Sequence, residues 1–267
     1  MECFKKILAD FLLKVSNDKI FTILVNIICM LLKSRSRIVK KGSKWEIKDE
    51  QYALPHRNRF LFYVYGLERR YAKLLSEYLV EDLNVPKGSI IVDCGANAGD
   101  FSNAIIERYP GVNIIAFEPG EDEYDCCIQN IKKSLFIENK ALGDKTGKAE
   151  IFINNEHADN SLIDFKGSIG KREIDVIRLD EYRPLKKIDE IFLFKLEAEG
   201  YEPEILYGAQ GVMKKIRYIT VDVGFERGLG CESTLPQVVN FLCNNNFELV
   251  VNGRKRSVLL FKNIKIK

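Results

Sequence analysis

The order of elements in this chain predicts an α/β fold: a parallel sheet covered by helices on both faces, preceded by a helical N-terminal extension. Three observations carry that expectation. From residue 89 onward, short β-branched runs alternate with helical spacings, the pattern of a parallel sheet. The first such run enters a glycine turn that opens a helix, Ile90-Ile-Val-Asp-Cys-Gly-Ala-Asn-Ala-Gly99, the context of a Rossmann-like nucleotide loop. The 267 residues are 46% hydrophobic and 30% charged, which suits a globular body with a sizeable core.

Taken in order, residues 4–15 place Phe4, Ile7, Leu8, Phe11, Leu12 and Val15 at helical spacing, so an amphipathic helix is expected there. A second apolar run, Ile20–Leu32, is interrupted only by Thr22 and Asn26 and is shorter than the ~20 residues a bilayer span needs. Residues 33–45 follow with Lys33, Arg35, Arg37, Lys40, Lys41 and Lys44 and no acid. Two readings fit: a helical pair packed on the body with a solvated linker, or a peripheral contact with a membrane or other anionic partner. Residues 60–83 are expected to be helical.

The strands expected next are Ser89–Asp93, Asn113–Glu118 and Leu135–Asn139, separated by helices over Gly99–Tyr109 and Asp122–Lys133. Residues 141–190 read as an irregular insertion with two strand-like pieces, Lys148–Ile153 and Glu173–Leu179. Ile191–Leu196 and Ile216–Val221 continue the sheet, with a helix starting near Glu202-Pro203 between them. Thr234-x-x-Gln237 reads as a capping box. Phe247–Val251 and Val258–Phe261 form a closing hairpin around Asn252-Gly253. The chain thus divides into an extension at 1–45, a helical lead-in at 46–87 and a main domain at 88–267.

Charge and cysteine usage narrow the class. Residues 1–44 hold ten Lys/Arg against three Asp/Glu, leaving 31 basic and 35 acidic residues in the rest, a mildly acidic body with a basic appendage. The seven cysteines contain no C-x-x-C pair, which suits neither a zinc site nor a disulfide scaffold. A reduced, cytoplasmic protein is expected, possible contact with the inner face of a membrane being confined to residues 1–44. Nucleic acid is not an expected partner, and with no metal-loop signature no metal is expected either.

The glycine loop carries the chemistry. Gly95 and Gly99 let backbone approach a ligand and helix approach strand. Asn97, which tolerates positive φ, stands where a dinucleotide fingerprint has its middle glycine. Asp93 and Asp100 flank the loop and would repel a diphosphate, whereas S-adenosylmethionine carries a sulfonium and an ammonium and no phosphate. Glu118, in Phe117-Glu-Pro119, lies close to the ~20-residue offset at which an acid receives ribose hydroxyls. The cofactor contacts expected from this reasoning are Asp93, Gly95, Ala96, Asn97, Gly99, Glu118 and Pro119.

Four spaced motifs then resemble the FkbM-type methyltransferase family: Val92-Asp-Cys-Gly-Ala-Asn-Ala-Gly-Asp-Phe-Ser102, Phe117-Glu-Pro119, Lys140-Ala-Leu-Gly143, and Phe194-Lys-Leu-Glu-Ala-Glu-Gly200 followed by Glu204-Ile-Leu-Tyr-Gly-Ala209. The resemblance implies a class I methyltransferase fold, S-adenosylmethionine as cofactor, and methylation of a hydroxyl on a small molecule, sugar or glycan precursor. It adds Ala141 to the cofactor set. The family's pattern reads Lys-Ile-Asp-x-Glu-Gly where this chain has Glu197, so the carboxylate is kept one methylene further out. Val221-Asp-Val-Gly-Phe-Glu-Arg-Gly228 resembles a subgroup associated with bacterial surface glycans.

Ligands of open α/β sheets bind beyond the carboxyl ends of the strands. That rule selects Lys195, Asp222, Glu226 and Arg227 for the acceptor. For the general base it selects Glu199 first and Glu197 second, on the expectation that residues two apart on an extended chain share one side. His157, in the insertion, is a further candidate base. Two other functions remain open on this sequence: an NAD-dependent oxidoreductase or epimerase on the same sheet, and a catalytically silent adaptor working through its basic arm at a membrane surface.

Overall fold

The computed structural model describes residues 12–42, 44–154, 160–254 and 256–266. The expected helix at 4–15 therefore falls largely outside the described residues. The first helix, α1 (Asp18–Leu31), is capped by Asn17, whose side chain accepts from the Lys19 and Ile20 amides. Phe21, Val25 and Cys29 on its inner face are fully buried. Asn26 is polar for a reason. Its amide nitrogen donates to the Ile38 carbonyl at 3.0 Å and its oxygen accepts from the Ile38 amide at 2.9 Å, clamping the helix to the strand that follows.

That strand corrects the linker reading of residues 33–45. β1 (Ile38–Lys41), β2 (Lys44–Ile47) and β3 (Tyr52–Leu54) form a three-stranded antiparallel sheet in the order β1-β2-β3. Its buried positions are Ile38, Trp45, Ile47, Tyr52, Ala53 and Leu54, while Lys40, Lys41 and Lys44 stay exposed. Of the lysines that suggested a solvated linker, Lys41 and Lys44 belong to the outer face of a sheet, while Lys40 sits at its edge over the Trp45 ring and pairs with Asp18. This sheet runs across the boundary expected at residue 45. Residues 60–83 are not one helix either. A 3-10 segment spans Arg57–Tyr63, Gly66 adopts φ 97°, and α2 (Leu67–Glu77) begins after it.

The main sheet has seven strands. They are β4 (Ile90–Cys94), β5 (Asn113–Phe117), β6 (Phe136–Glu138), β10 (Ile191–Leu196), β11 (Ile216–Asp222), β14 (Phe247–Asn252) and β15 (Val258–Asn263), in the order β14-β15-β11-β10-β4-β5-β6. β11, β10, β4, β5 and β6 are parallel, and the β14–β15 hairpin closes the β11 edge antiparallel. Residues on alternate sides of the strands feed two apolar layers. Ile91 and Ile114 pack with α1, α2, α3 (Asp100–Arg108) and α4 (Glu121–Asn130) on one face. Val92 and Ile115 pack with α5 (Glu202–Gly208) and α6 (Leu235–Asn244) on the other. The chain runs outward from β4 in both directions, so a cleft opens where β4 and β10 lie side by side.

Two further sheets overhang that cleft's end of the body. Residues 141–190 hold β7 (Ala141–Leu142), β8 (Gly147–Ile153) and β9 (Gly170–Ile177) in the order β7-β9-β8; β8 and β9 fall on the two strand-like pieces expected there, and β7 was not foreseen. A short hairpin of β12 (Phe225–Arg227) and β13 (Glu232–Ser233) follows β11. The capping box at Thr234 is not formed. Thr234 makes no side-chain cap bond, and the Ser233 hydroxyl accepts from the Leu235 amide instead. Thr234 has φ −85° and ψ 1°, not the extended backbone from which an N-cap side chain reaches the first turn's amides.

Candidate active site

A cavity of about 450 Å³ lies over the carboxyl ends of β4 and β10. The glycine loop forms one side, and its backbone explains its residues. Gly95, Asn97 and Gly99 all adopt positive φ, at 74°, 51° and 87°. A Cβ at Gly95 would collide with the Glu197 carbonyl, and one at Gly99 would sit 2.7 Å from Ile131 Cγ1. The Gly95 and Ala96 amides donate to the Phe117 carbonyl at 3.0 and 3.1 Å, tying the loop to β5. Gly95, Ala96 and Asn97 line the cavity, as do Pro119 and Ala141. Gly99 lies behind the loop, packed on Ile131.

Glu118 stands beside the loop, just past the end of β5. Its Oε2 accepts from the Asn97 amide at 2.7 Å and its Oε1 from the Gly120 amide at 2.8 Å. Each oxygen retains a lone pair for a hydroxyl. Burial, reinforced by nearby Glu123, pushes its carboxyl up to about 8.

Asp93 does not reach the cavity. It is fully buried beneath the loop, accepting from the Ser102 hydroxyl at 2.6 Å and pairing with Lys195 at 3.2 Å. Lys195 in turn donates to the Cys94 and Gly95 carbonyls at 3.0 and 2.8 Å and pairs with Glu197 at 3.1 Å. Both residues hold the loop in shape, and Lys195, 1% exposed, also borders the cavity.

Asp100 is likewise paired. Arg59 and Arg70 approach it at 3.5 and 3.1 Å, and the Tyr52 and Tyr63 hydroxyls donate to it. Neither Asp93 nor Asp100 is therefore a bare charge, and the expected repulsion of a diphosphate by this pair has no basis. The same contacts show that the lead-in segment is part of the site. Arg59, Phe62, Arg70 and Tyr78 line the cavity, and Asn130 ties the Ala53 backbone to the Ala98 carbonyl of the loop.

The strand-end acids separate into two kinds. β10 stops at Leu196, Glu199 turns to φ 49° and Gly200 to φ 93°, so Glu197 and Glu199 do not sit on one extended face. Both still line the cavity. Glu197 is held by Lys195, by Arg256 and by the Tyr78 hydroxyl. The two cations keep its carboxyl well below the usual range, against the opposing effect of burial. Asp222 is buried, paired with Arg256 and accepting from the Gly224 amide, and it does not line the cavity. Arg227 faces the other way from Glu226. It forms a double hydrogen bond with Glu204 at 2.6 and 2.9 Å and donates to the Gly200 carbonyl, leaving no role at the acceptor.

Glu226 alternates with Arg227 on β12 and points into the cavity. It makes no hydrogen bond or ion pair among the described residues. Burial raises its carboxyl to about 8, with Asp222, Glu197 and Glu202 adding repulsion and Arg256 partly offsetting it. His157 lies outside the described residues. His56 lines a second cavity of about 350 Å³ beyond Pro119, not the main one. Among the described residues, no group of three or more His, Cys, Asp or Glu is placed to hold a metal. Sequence reasoning missed Arg59, Arg70, Tyr78 and Arg256, whose roles arise only from contacts far apart along the chain.

The chain is similar in sequence to proteins named as methyltransferases. The chain is 26% identical over 217 residues to the methyltransferase sdnD of Sordaria araneosa, spanning 67% of this chain and 81% of that protein. It is 23% identical over 194 residues to the 2-O-methyltransferase NoeI of Sinorhizobium fredii, spanning 64% and 78%. The crystal structure of methyltransferase FkbM from Methylobacillus flagellatus KT superposes with a TM-score of 0.49 at 15% identity, over 77% of this chain and 52% of that one. The family model described as the methyltransferase FkbM domain matches residues 93–249, more than half of the chain. That match begins in the glycine loop's own strand and takes in Glu118, Glu197, Glu199 and Glu226. Carrying a Rossmann-like class I methyltransferase sheet with the family's motifs gathered at one cavity, this chain belongs to the FkbM methyltransferase family.

Proposed function

We propose that the enzyme transfers a methyl group from S-adenosylmethionine to a hydroxyl oxygen of a small hydroxyl-rich acceptor, a sugar or glycan precursor, with Glu226 as general base. The observation that carries this reading is the contrast at the cavity between Glu197, neutralised by two cations, and Glu226, which has no partner among the described residues. The name of the Sinorhizobium fredii relative, a 2-O-methyltransferase, supports oxygen as the accepting atom.

The residues present fit the cofactor. The loop backbone at Gly95–Asn97 would lie along it, and Glu118 would accept from its ribose hydroxyls. When bound, it supplies a methyl group on a cationic sulfur. The chain's own task is to align the acceptor oxygen and to take its proton. A carboxylate raised to about 8 matches a base working near neutral pH, because a stronger base retains more driving force for proton transfer. Glu197, held ionised by Lys195 and Arg256, is a poor proton acceptor and a good brace for the loop.

Titration calorimetry with S-adenosylmethionine and with NAD tests the cofactor. Binding of the first and not the second is expected; the reverse would return the oxidoreductase reading. Mass spectrometry of candidate sugars after incubation should show a gain of one methyl on oxygen. Methylation at nitrogen or carbon only would overturn the acceptor class.

A further inference from the structure

Helix α1 buries one side and leaves the other bare. Phe21, Val25 and Cys29 face the body, while Ile20, Ile23, Ile27, Met30 and Leu31 form a stripe along the outer side, exposed at 51, 59, 44, 59 and 73%. Their spacing of three, seven, ten and eleven residues from Ile20 keeps them on one helical face. Isolated exposed apolar residues are ordinary, but a continuous stripe is not. Asn26, bonded to the Ile38 backbone, fixes which side faces inward, so the stripe is not a register accident.

The stripe's ends are basic. Lys14 and Lys19 precede it, Lys33 and Arg35 follow it, all four are exposed, and none makes an ion pair among the described residues. Asp18, the acid of this helix, is neutralised by Lys40 and Arg57. At 14 residues α1 is about 21 Å long, short of the ~30 Å hydrocarbon core. No helix among the described residues is long and apolar enough to cross a membrane.

We propose that α1 is an interfacial helix that seats the enzyme on an anionic lipid bilayer. Ile20, Ile23, Ile27, Met30 and Leu31 enter the headgroup boundary, and Lys14, Lys19, Lys33 and Arg35 meet the lipid charge. The apolar face supplies depth and the cations supply selectivity, so neither suffices alone.

Sedimentation of the full chain with vesicles tests this. Binding is expected to phosphatidylcholine vesicles containing phosphatidylglycerol and not to phosphatidylcholine alone, with release by high salt. Replacing each of Lys14, Lys19, Lys33 and Arg35 by Gln should weaken partitioning by about 5-fold per charge. Ile23→Asn with Ile27→Asn should weaken it by at least about 10-fold, with an unchanged melting temperature as the control for folding. Equal sedimentation of that double variant, or no binding by the parent protein, overturns the proposal. So does a dimer in light scattering that the double variant abolishes, since a second copy would then cover the stripe.

Discussion

Glu197 and Glu226 border the same cavity yet are set up for opposite chemistry. The floor at the end of β10 surrounds Glu197 with Lys195, Arg256 and the Tyr78 hydroxyl, which favour its charge. The β12 wall gives Glu226 no such partner, and its neighbours Asp222, Glu197 and Glu202 are acidic. One carboxylate has become a structural anion and the other a group that wants a proton. The difference teaches that position at a strand end is not enough to name a base, because the partners decide what a carboxylate does.

The largest effect is expected from breaking that contrast at Glu226. Glu226→Gln keeps size and hydrogen bonding but takes no proton, so kcat should fall by about 10²–10⁴-fold with cofactor affinity nearly unchanged. A larger loss in Glu199→Gln than in Glu226→Gln, measured with the same acceptor, would move the base to the turn after β10.

Arg256 sharpens the comparison from the other side. Removing it as Arg256→Ala strips Glu197 and Asp222 of a shared partner in a buried setting, and a stability loss of roughly 3–5 kcal/mol is expected in denaturant unfolding. A loss below about 1 kcal/mol would show that the floor does not depend on this pair. Glu118→Ala comes next. Losing the buried acceptor of the ribose hydroxyls should cost about 1–3 kcal/mol of S-adenosylmethionine affinity by calorimetry, and unchanged affinity would remove Glu118 from the cofactor site.

Much of the catalytic frame was readable along the chain, because its causes are local. Gly95, Asn97 and Gly99 need a left-handed backbone wherever the rest of the chain goes, and the β-branched runs around them mark the parallel strands. Glu118 followed from a spacing within one β-α-β unit. What failed depended on contacts between distant segments. Arg256 meets Glu197 across 59 positions, and Tyr78 meets it across 119. Arg59 and Arg70 reach Asp100 from a lead-in that looked like a mere helix. The β1–β3 sheet was hidden because its lysines dominate the composition while its buried residues merely alternate with them. The expectation that Glu197 and Glu199 share one extended face failed because the chain turns at Glu199, φ 49°, although both line the cavity.

The smallest expected effect is on stability. Glu118 and Glu226 are raised to about 8 and Glu202 to about 7, chiefly by burial. The folded protein therefore holds protons that the unfolded chain releases near ~4.3, the ordinary Glu value. Stability from these groups is complete below that value and declines as pH rises towards 8. The ligand-free enzyme should melt at least ~2–4 °C lower at pH 8.5 than at pH 6, the shift that 1 kcal/mol gives a domain of this size. A higher melting temperature at pH 8.5 would mean that these carboxyls ionise freely in the folded state.

The central claim, that Glu226 accepts the proton, is tested most directly by the pH dependence of kcat/KM for the parent enzyme and for Glu226→Gln. A base must be ionised to act, so the parent's rate should climb with pH and level off above an apparent pKa near about 8. In Glu226→Gln that ascending limb should vanish along with most of the rate. An unchanged limb in the variant would contradict the account and place the base on another residue.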